Sequence, residues 1–253
     1  MSYKSEIFKD VLDAFEVEEM KLFCIDLLEN RDEINYSIPS STSYKYHNKT
    51  QCQPGGQILH ELMVATMMNY LLGLEFIQNS IKHPRQRDCM RIAAIMHDCM
   101  KTNGGQYTVH EHPMLGSKFV EECEVEHPIK PELRKYIGRL IQSHSGQWVD
   151  SKRSSLVLPK PETTEQFFVH LCDYFSSRAN IDMIYTPEVL ALVNENLPEA
   201  EKPDPDTWTF TFGKYKGLTF NDILKEDKQY LLWLRDKSSM DIREPLASFL
   251  KTI

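Results

Sequence analysis

The stretch Gln57–Ile77 constrains this chain most. It is strongly apolar and too long for a strand, yet its charge-free part, Leu62–Leu74, falls well short of the roughly 20 residues a membrane span needs. A helix that is apolar all round must be covered on every side, so the stretch predicts the central buried helix of a helical domain. Helical spacing also predicts Glu18–Asn30, where Met20, Phe23, Cys24, Leu27 and Leu28 share a face. Further helices are expected at Arg87–Met100, Pro113–Glu122, Pro131–Ser143, Thr164–Met183 and Pro187–Asn196, with prolines in first turns, where a missing N–H is harmless. Ser37–Gly56 is polar and reads as a loop. Few segments alternate apolar and polar residues, so a large sheet is not expected and the fold class is mainly α.

Composition excludes several function classes. Hydrophobic residues make up 41% and charged residues 26%, which excludes a largely disordered chain. Lys and Arg number 29 against 37 Asp and Glu, a formal charge of −8. Proteins that grip duplex DNA through broad phosphate contact are usually basic, so contact with nucleic acid is expected only at a local patch or a single strand end. The six cysteines form no C-x-x-C pair, and several sit in helix-like apolar patterns, as reduced thiols of a cytoplasmic protein do. The opening residues Met1–Glu6 carry acid early, so no secretory signal is expected.

The character changes near residue 196. Asn196–Asp206 is rich in Pro and acid and reads as a linker. Trp208–Phe212 alternates aromatic residues with Thr, a short strand signal. Gly213 and Gly217 bracket the basic turn Lys214-Tyr215-Lys216, and helix-like segments follow at Phe220–Lys225, Tyr230–Leu234 and Arg243–Leu250.

Chemistry is concentrated in histidine and aspartate. His60 lies in the central helix, His97-Asp98 ends the next apolar helix, His112 opens the following one, His144 sits in Gln142-Ser143-His144-Ser145-Gly146, and Asp173 lies inside Val169–Phe175. A lone His in an apolar helix is usually a core residue, and a lone Asp is usually solvated. The order H…HD…H…H…D, each on its own segment, is hard to obtain by chance. An ionised Asp in apolar surroundings is costly unless it is paired or binds a metal. Imidazole with carboxylate suits Zn, Fe, Mn or Ni rather than Ca.

This order resembles the HD superfamily of metal-dependent phosphohydrolases. His97-Asp98 matches the dyad that names it, and Lys101 matches the Lys of its H-D-x-x-K variant. Lys45-Tyr46-His47 with Gly55-Gly56-Gln57-Ile58-Leu59-His60, and Ser143-His144-Ser145-Gly146 with Pro159, Pro161-Glu162 and His170-Leu171-Cys172-Asp173, are similar to the branch typified by bacterial HD-type 3′-to-5′ exoribonucleases. The similarity covers about residues 44–183. Two departures stand out: Ser145 replaces a family His, and the family's oligonucleotide-binding domain has no counterpart in the about forty residues that precede the core. Phe212-Gly213-Lys214-Tyr215-Lys216-Gly217 with Tyr230-Leu231-Leu232-Trp233-Leu234 resembles the small C-terminal module of exodeoxyribonuclease X-like proteins, which also occurs alone in phage-like genomes.

The resemblance implies a helical HD bundle over 1–195 (a helical extension at 1–40, a core at 44–195), a linker at 196–207 and a small α+β module at 208–253. It implies one or two divalent transition-metal ions (Mn, Fe, Ni, Co or Zn). His60, His97, Asp98 and Asp173 would hold the first, and Asp98, His112 and His144 the second. His110 competes with His112, which is preferred because His-Pro-x-x-Gly is the more familiar form. The metal would activate water for attack on phosphorus, and Lys101 would neutralise phosphoryl charge, unless it only caps a helix end. His47 is open between a phosphate or metal contact and an ordinary loop residue, and Arg178 between a phosphate contact and a surface role. Lys214 and Lys216, interleaved with aromatics, suit a single-stranded end, although Tyr215, Phe220 and Trp233 also serve as a mini-core. His170, one turn before Asp173, reads as core or as a support behind the ligands.

Three functions are open. The preferred one is a phosphodiesterase or 3′-to-5′ exonuclease on single-stranded ends. The second is a nucleotide or deoxynucleotide phosphohydrolase, that is, a nucleotidase or triphosphohydrolase. The third is a catalytically degenerate binding or regulatory module. By resemblance the protein is expected in a bacterial cytoplasm or encoded by a phage.

Overall fold

A computed structural model of the chain describes residues 2–41, 45–105, 107–197, 205–206, 208–210, 213–236 and 246–253. The chain divides into two compact units, Met1–Leu197 and Pro198–Ile253. Among the described residues it is helical, with isolated bridges in place of a sheet.

In the first unit the helices are α1 (Tyr3–Glu6), α2 (Lys9–Leu12), α3 (Glu18–Asn30), α4 (Ile34–Ser37), α5 (Gly56–Leu72), α6 (Glu75–Ser80), α7 (Pro84–Met96), α8 (His112–Glu122), α9 (Pro131–Gln142), α10 (Thr164–Ser176) and α11 (Pro187–Glu195). Helix α5 is the buried centre: every residue from Gly56 to Ala65 is withdrawn from solvent. It packs against α7 and α10, while α9 joins α7 to α8. Among its described residues, the Ser37–Gly56 loop contains a 3-10 turn, Thr50–Cys52. A Cβ at Gly56 would collide with the Gln51 backbone, so this loop can close on the start of α5 only at a glycine.

Helices α5, α7 and α10 differ most from expectation at their ends. The stretch Gln57–Ile77 is two helices: α5 stops at Leu72, the chain turns extended at Leu74, and α6 begins with Glu75 in its first turn. Helix α7 starts at Pro84, three residues earlier than expected, because His83 is extended before proline. It ends at Met96 rather than Met100, which leaves His97-Asp98 on the following turn. Helix α10 ends at Ser176 rather than Met183, where Ser177 N–H reaches the Asp173 carbonyl at 2.9 Å and the chain bends away. Its start is fixed by a capping box between Thr163 and Gln166.

The second unit has its own core of Phe210, Phe220, Ile223, Leu231, Leu234, Leu246, Phe249 and Leu250. It contains α12 (Phe220–Glu226), α13 (Lys228–Asp236) and α14 (Leu246–Leu250). The expected strand Trp208–Phe212 is represented among the described residues by one bridge, Thr209 to Thr219. Phe212, most of the expected linker and the start of the expected helix Arg243–Leu250 lie outside the described residues. No helix among the described residues is long and apolar enough to cross a membrane.

Candidate metal centre

Five elements bring the histidines and aspartates together. His60 is on α5, His97 and Asp98 follow α7, His112 opens α8, His144 lies in the turn after α9, and Asp173 is on α10. His60, His97 and Asp173 form one group that could hold an ion, and Asp98, His112 and His144 form another. In the first, His60 Nε2 lies 3.2 Å from Asp173 Oδ1 and 3.3 Å from His97 Nε2. In the second, Asp98 Oδ1 lies 3.0 Å from His112 Nε2 and 3.5 Å from His144 Nε2. Asp98 Oδ2 turns the other way, to 3.5 Å from His97 Nε2 and 3.9 Å from His60 Nε2. One carboxylate therefore faces both groups.

The backbone fixes which imidazole nitrogen faces inward. His97, His112 and His144 each place Nδ1 on the carbonyl three residues back, at 2.9, 2.7 and 2.8 Å. A carbonyl only accepts, so each Nδ1 donates and each Nε2 is left as an electron-pair donor in the neutral ring. His112 and His144 then aim two lone pairs at each other across 3.2 Å, beside a carboxylate oxygen. That convergence is repulsive unless a cation lies among the donors, so the donor set fits a divalent transition metal.

The charge balance agrees. Burial would raise Asp98, but Lys101, His97 and the hydrogen bonds of His112 and His144 hold it well below the usual carboxylate range. Asp173, half-buried at the cavity, would also be raised by the burial it has, but is held low by His60 and its neighbouring imidazoles. Burial opposes the charged form of His97, yet Asp98 and Asp173 push it up to about 9. Burial holds His60 and His144 low. The two carboxylates thus draw positive charge toward them.

Lys101 is buried with its Nζ 2.6 Å from Asp98 Oδ2 and 3.3 Å from Ser40 Oγ, so it is not a solvated helix-end lysine. His47 bonds Gln51 Oε1 at 2.9 Å and crosses the His60 ring edge-on at 4.9 Å. Its pKa is lowered to about 3, first by burial and then by His60 and Lys101. His110 is directed elsewhere, to the Leu156 carbonyl at 3.1 Å. Arg178 lines the cavity that opens over these groups, but its Nε is committed to the Tyr174 carbonyl at 3.0 Å. Lys214 and Lys216 belong to the second unit, where Lys214 pairs with Asp227 at 2.9 Å and Lys216 is exposed.

Supports surround this set, and apart from His170 the sequence did not single them out. Gln57 Nε2 spans Glu61 Oε1 at 2.7 Å and Asp98 Oδ2 at 3.4 Å. Glu61 is fully buried and paired with Arg31, whose Nη2 lies 2.7 Å from Oε1. A Glu inside an apolar helix signals the need for a cation, but nothing local names Arg31 as its partner. His170 Nδ1 donates to the His144 carbonyl at 2.8 Å. Gly146 has φ +63°, and a Cβ there would run into the His170 ring. The turn carrying His144 is therefore held from behind by His170 and open only to glycine.

A cavity of about 460 Å³ opens over the centre, lined by Asp98, Lys101, His112, His144, Asp173, His47 and Ser145 among others. That size suits a small organic ligand.

Family comparisons agree with this architecture. Residues 58–178 match the HD domain, and residues 210–238 match the exodeoxyribonuclease X-like C-terminal domain. No curated protein and no solved structure matches the chain. The chain carries an HD domain, the domain of a metal-dependent hydrolase superfamily, over residues 58–178 and an exodeoxyribonuclease X-like C-terminal domain over residues 210–238.

Proposed function

We propose that the protein is a metal-dependent phosphodiesterase that removes nucleotides from single-stranded nucleic-acid ends, working from the 3′ end. The observation that carries this reading is the pair of three-ligand groups at an open cavity, with Asp98 of the second group also facing the first. The exodeoxyribonuclease X-like tail supports a nucleic-acid substrate. In this reading His60, His97, Asp98 and Asp173 hold one divalent ion, and Asp98, His112 and His144 a second, with Mn, Fe, Co, Ni or Zn suited to such nitrogen and oxygen donors. When bound, such ions lower the pKa of water toward neutrality and offset charge on a phosphoryl group.

The chain's own residues do the rest. Asp98 keeps both ligand groups in register through its two oxygens. The Nδ1 bonds orient the imidazoles before any ion arrives. Lys101, buried beside Asp98 at the cavity wall, is positioned to pair with a phosphoryl oxygen as charge develops. His47 and Arg178 flank the substrate, and Lys214 and Lys216 of the second unit are candidates to bind a single strand. The domains run 1–195, 196–207 and 208–253, in a cytoplasmic protein of a bacterium or a phage.

One observation favours a second reading, nucleotide hydrolysis: the net charge of −8 is unusual for a protein that tracks along a polyanion. A single screen separates the two. The full-length protein is supplied in turn with Mn, Ni, Co, Zn and Mg, and given end-labelled single-stranded RNA and DNA beside a panel of nucleotides. Stepwise release of mononucleotides from the 3′ end, abolished in Asp98→Ala, is expected. Inert oligonucleotides beside hydrolysed nucleotides would replace this reading with the second.

A further inference from the structure

One wall of the cavity is aromatic. Tyr174 directly follows the ligand Asp173 on α10, and the Trp148 ring stacks on it, with centroids 5.7 Å apart and planes 12° from parallel. The Arg178 guanidinium lies 4.2 Å from the Tyr174 ring centre and 5.6 Å from that of Tyr46. Its Nη2 is tied to Ser177 Oγ at 2.9 Å, so the group is fixed against the rings. All four side chains line the cavity, yet Trp148 remains 51% exposed and Tyr46 48% exposed.

Metal binding needs none of these groups, and of the four Arg178 alone has the charge to meet a phosphate. Phosphate is read by cations and N–H donors. An indole, two phenols and a fixed guanidinium instead present flat π surfaces, which match the face of a heterocycle. Trp148 is also held firmly, because it sits at the end of the turn that carries His144. That turn is closed by Trp148 N–H to Ser145 O at 3.1 Å and braced by His170.

We propose that Trp148, Tyr174, Arg178 and Tyr46 form a stacking platform for the base of the nucleotide whose phosphate lies at the metal centre. The inference deepens the proposed function and rests on it for the position of the phosphate. It specifies the substrate class: a phosphoric ester bearing an unstacked base, since a base inside a duplex has both faces covered. Stacking tolerates every base, and the larger purines gain more contact than pyrimidines.

The test is calorimetry on the full-length protein with Mn²⁺ and a matched pair of ligands. One is the hydrolysis-resistant phosphonate analogue of adenosine 5′-monophosphate, and the other is its ribose counterpart without the base. The wild type is expected to favour the base-bearing ligand by about 10- to 100-fold. Trp148→Ala and Arg178→Gln are each expected to cut that preference severalfold, and Trp148→Phe to keep most of it. Equal affinity for the two ligands, no binding of either by the wild type, or an undiminished preference in both Trp148→Ala and Arg178→Gln would overturn the platform. A protein that keeps the preference but leaves oligonucleotides intact would retain the platform and lose the phosphodiesterase reading.

Discussion

Asp98 divides its carboxylate between two sets of imidazoles, and Gln57 holds it from below. Replacing Gln57 by Leu removes that support without touching a proposed ligand. Metal affinity should fall about 10- to 100-fold, with circular dichroism unchanged; competition with a chromophoric chelator measures it, and an unaltered affinity would contradict the role. The six proposed ligands were conspicuous in the sequence because imidazole and carboxylate have few reasons to lie in apolar helices. Gln57 was not conspicuous, since a glutamine near a helix start is ordinary until its position beneath Asp98 is known. Trp148 was equally silent: nothing in Ser145–Val149 reveals that Tyr174, 26 residues later, returns to stack on it.

At the scale of elements, boundaries were harder to read than helices. Each long apolar segment did become helix: Glu18–Asn30 repeats its apolar face at helical spacing, and Gln57–Ile77 is apolar all round and too long for a strand. The ends were set by single residues: the break at Gly73, Pro84 with His83 before it, and the turn after Ser176. The turn after α9 depends on Gly146. Gly146→Ala forces a side chain into a left-handed conformation and against His170, at a cost of about 1–3 kcal/mol. Urea unfolding should report that loss, and His144 should then bind metal less well. The junction before α3 offers a pH test. Glu16 accepts from Arg87 Nε at 2.7 Å and Arg91 Nη1 at 3.0 Å, and these bonds, Arg87 first, hold its carboxyl below the ordinary value. A depressed carboxyl stabilises the fold above its unfolded pKa, near 4.3, and that contribution is lost as pH falls through the folded value. The Glu16 and Val17 amides, which donate to Asp88, should therefore lose protection against hydrogen exchange, relative to their intrinsic rates, below about pH 4. Glu16→Gln should remove that part of the pH dependence; an unchanged profile would rule the pairing out as its cause.

For the whole molecule, the buried Arg31–Glu61 pair links α3's end to the central helix and, through Gln57, to Asp98. Removing one partner leaves an uncompensated buried charge. Arg31→Met should cost about 3–5 kcal/mol in urea unfolding, and adding Glu61→Leu should recover much of it. Single and double variants of equal stability would contradict that account. The Pro-rich, acidic stretch near residue 200 coincides with the division into two compact units; of the expected mini-core, Phe220 is buried and Tyr215 packs against the core around it, while Trp233 is exposed. The acidic composition limited what the sequence could say of the substrate, because net charge averages over a surface on which one cavity decides the chemistry.

Metal titration tests the shared centre most directly. Wild-type protein, Asp98→Ala and Asp173→Ala are titrated with Mn²⁺ by calorimetry. Two sites are expected in the wild type, weakening of both in Asp98→Ala because its two oxygens face both groups, and selective weakening of one in Asp173→Ala. An Asp98→Ala protein that binds both ions with wild-type affinity would contradict the shared centre.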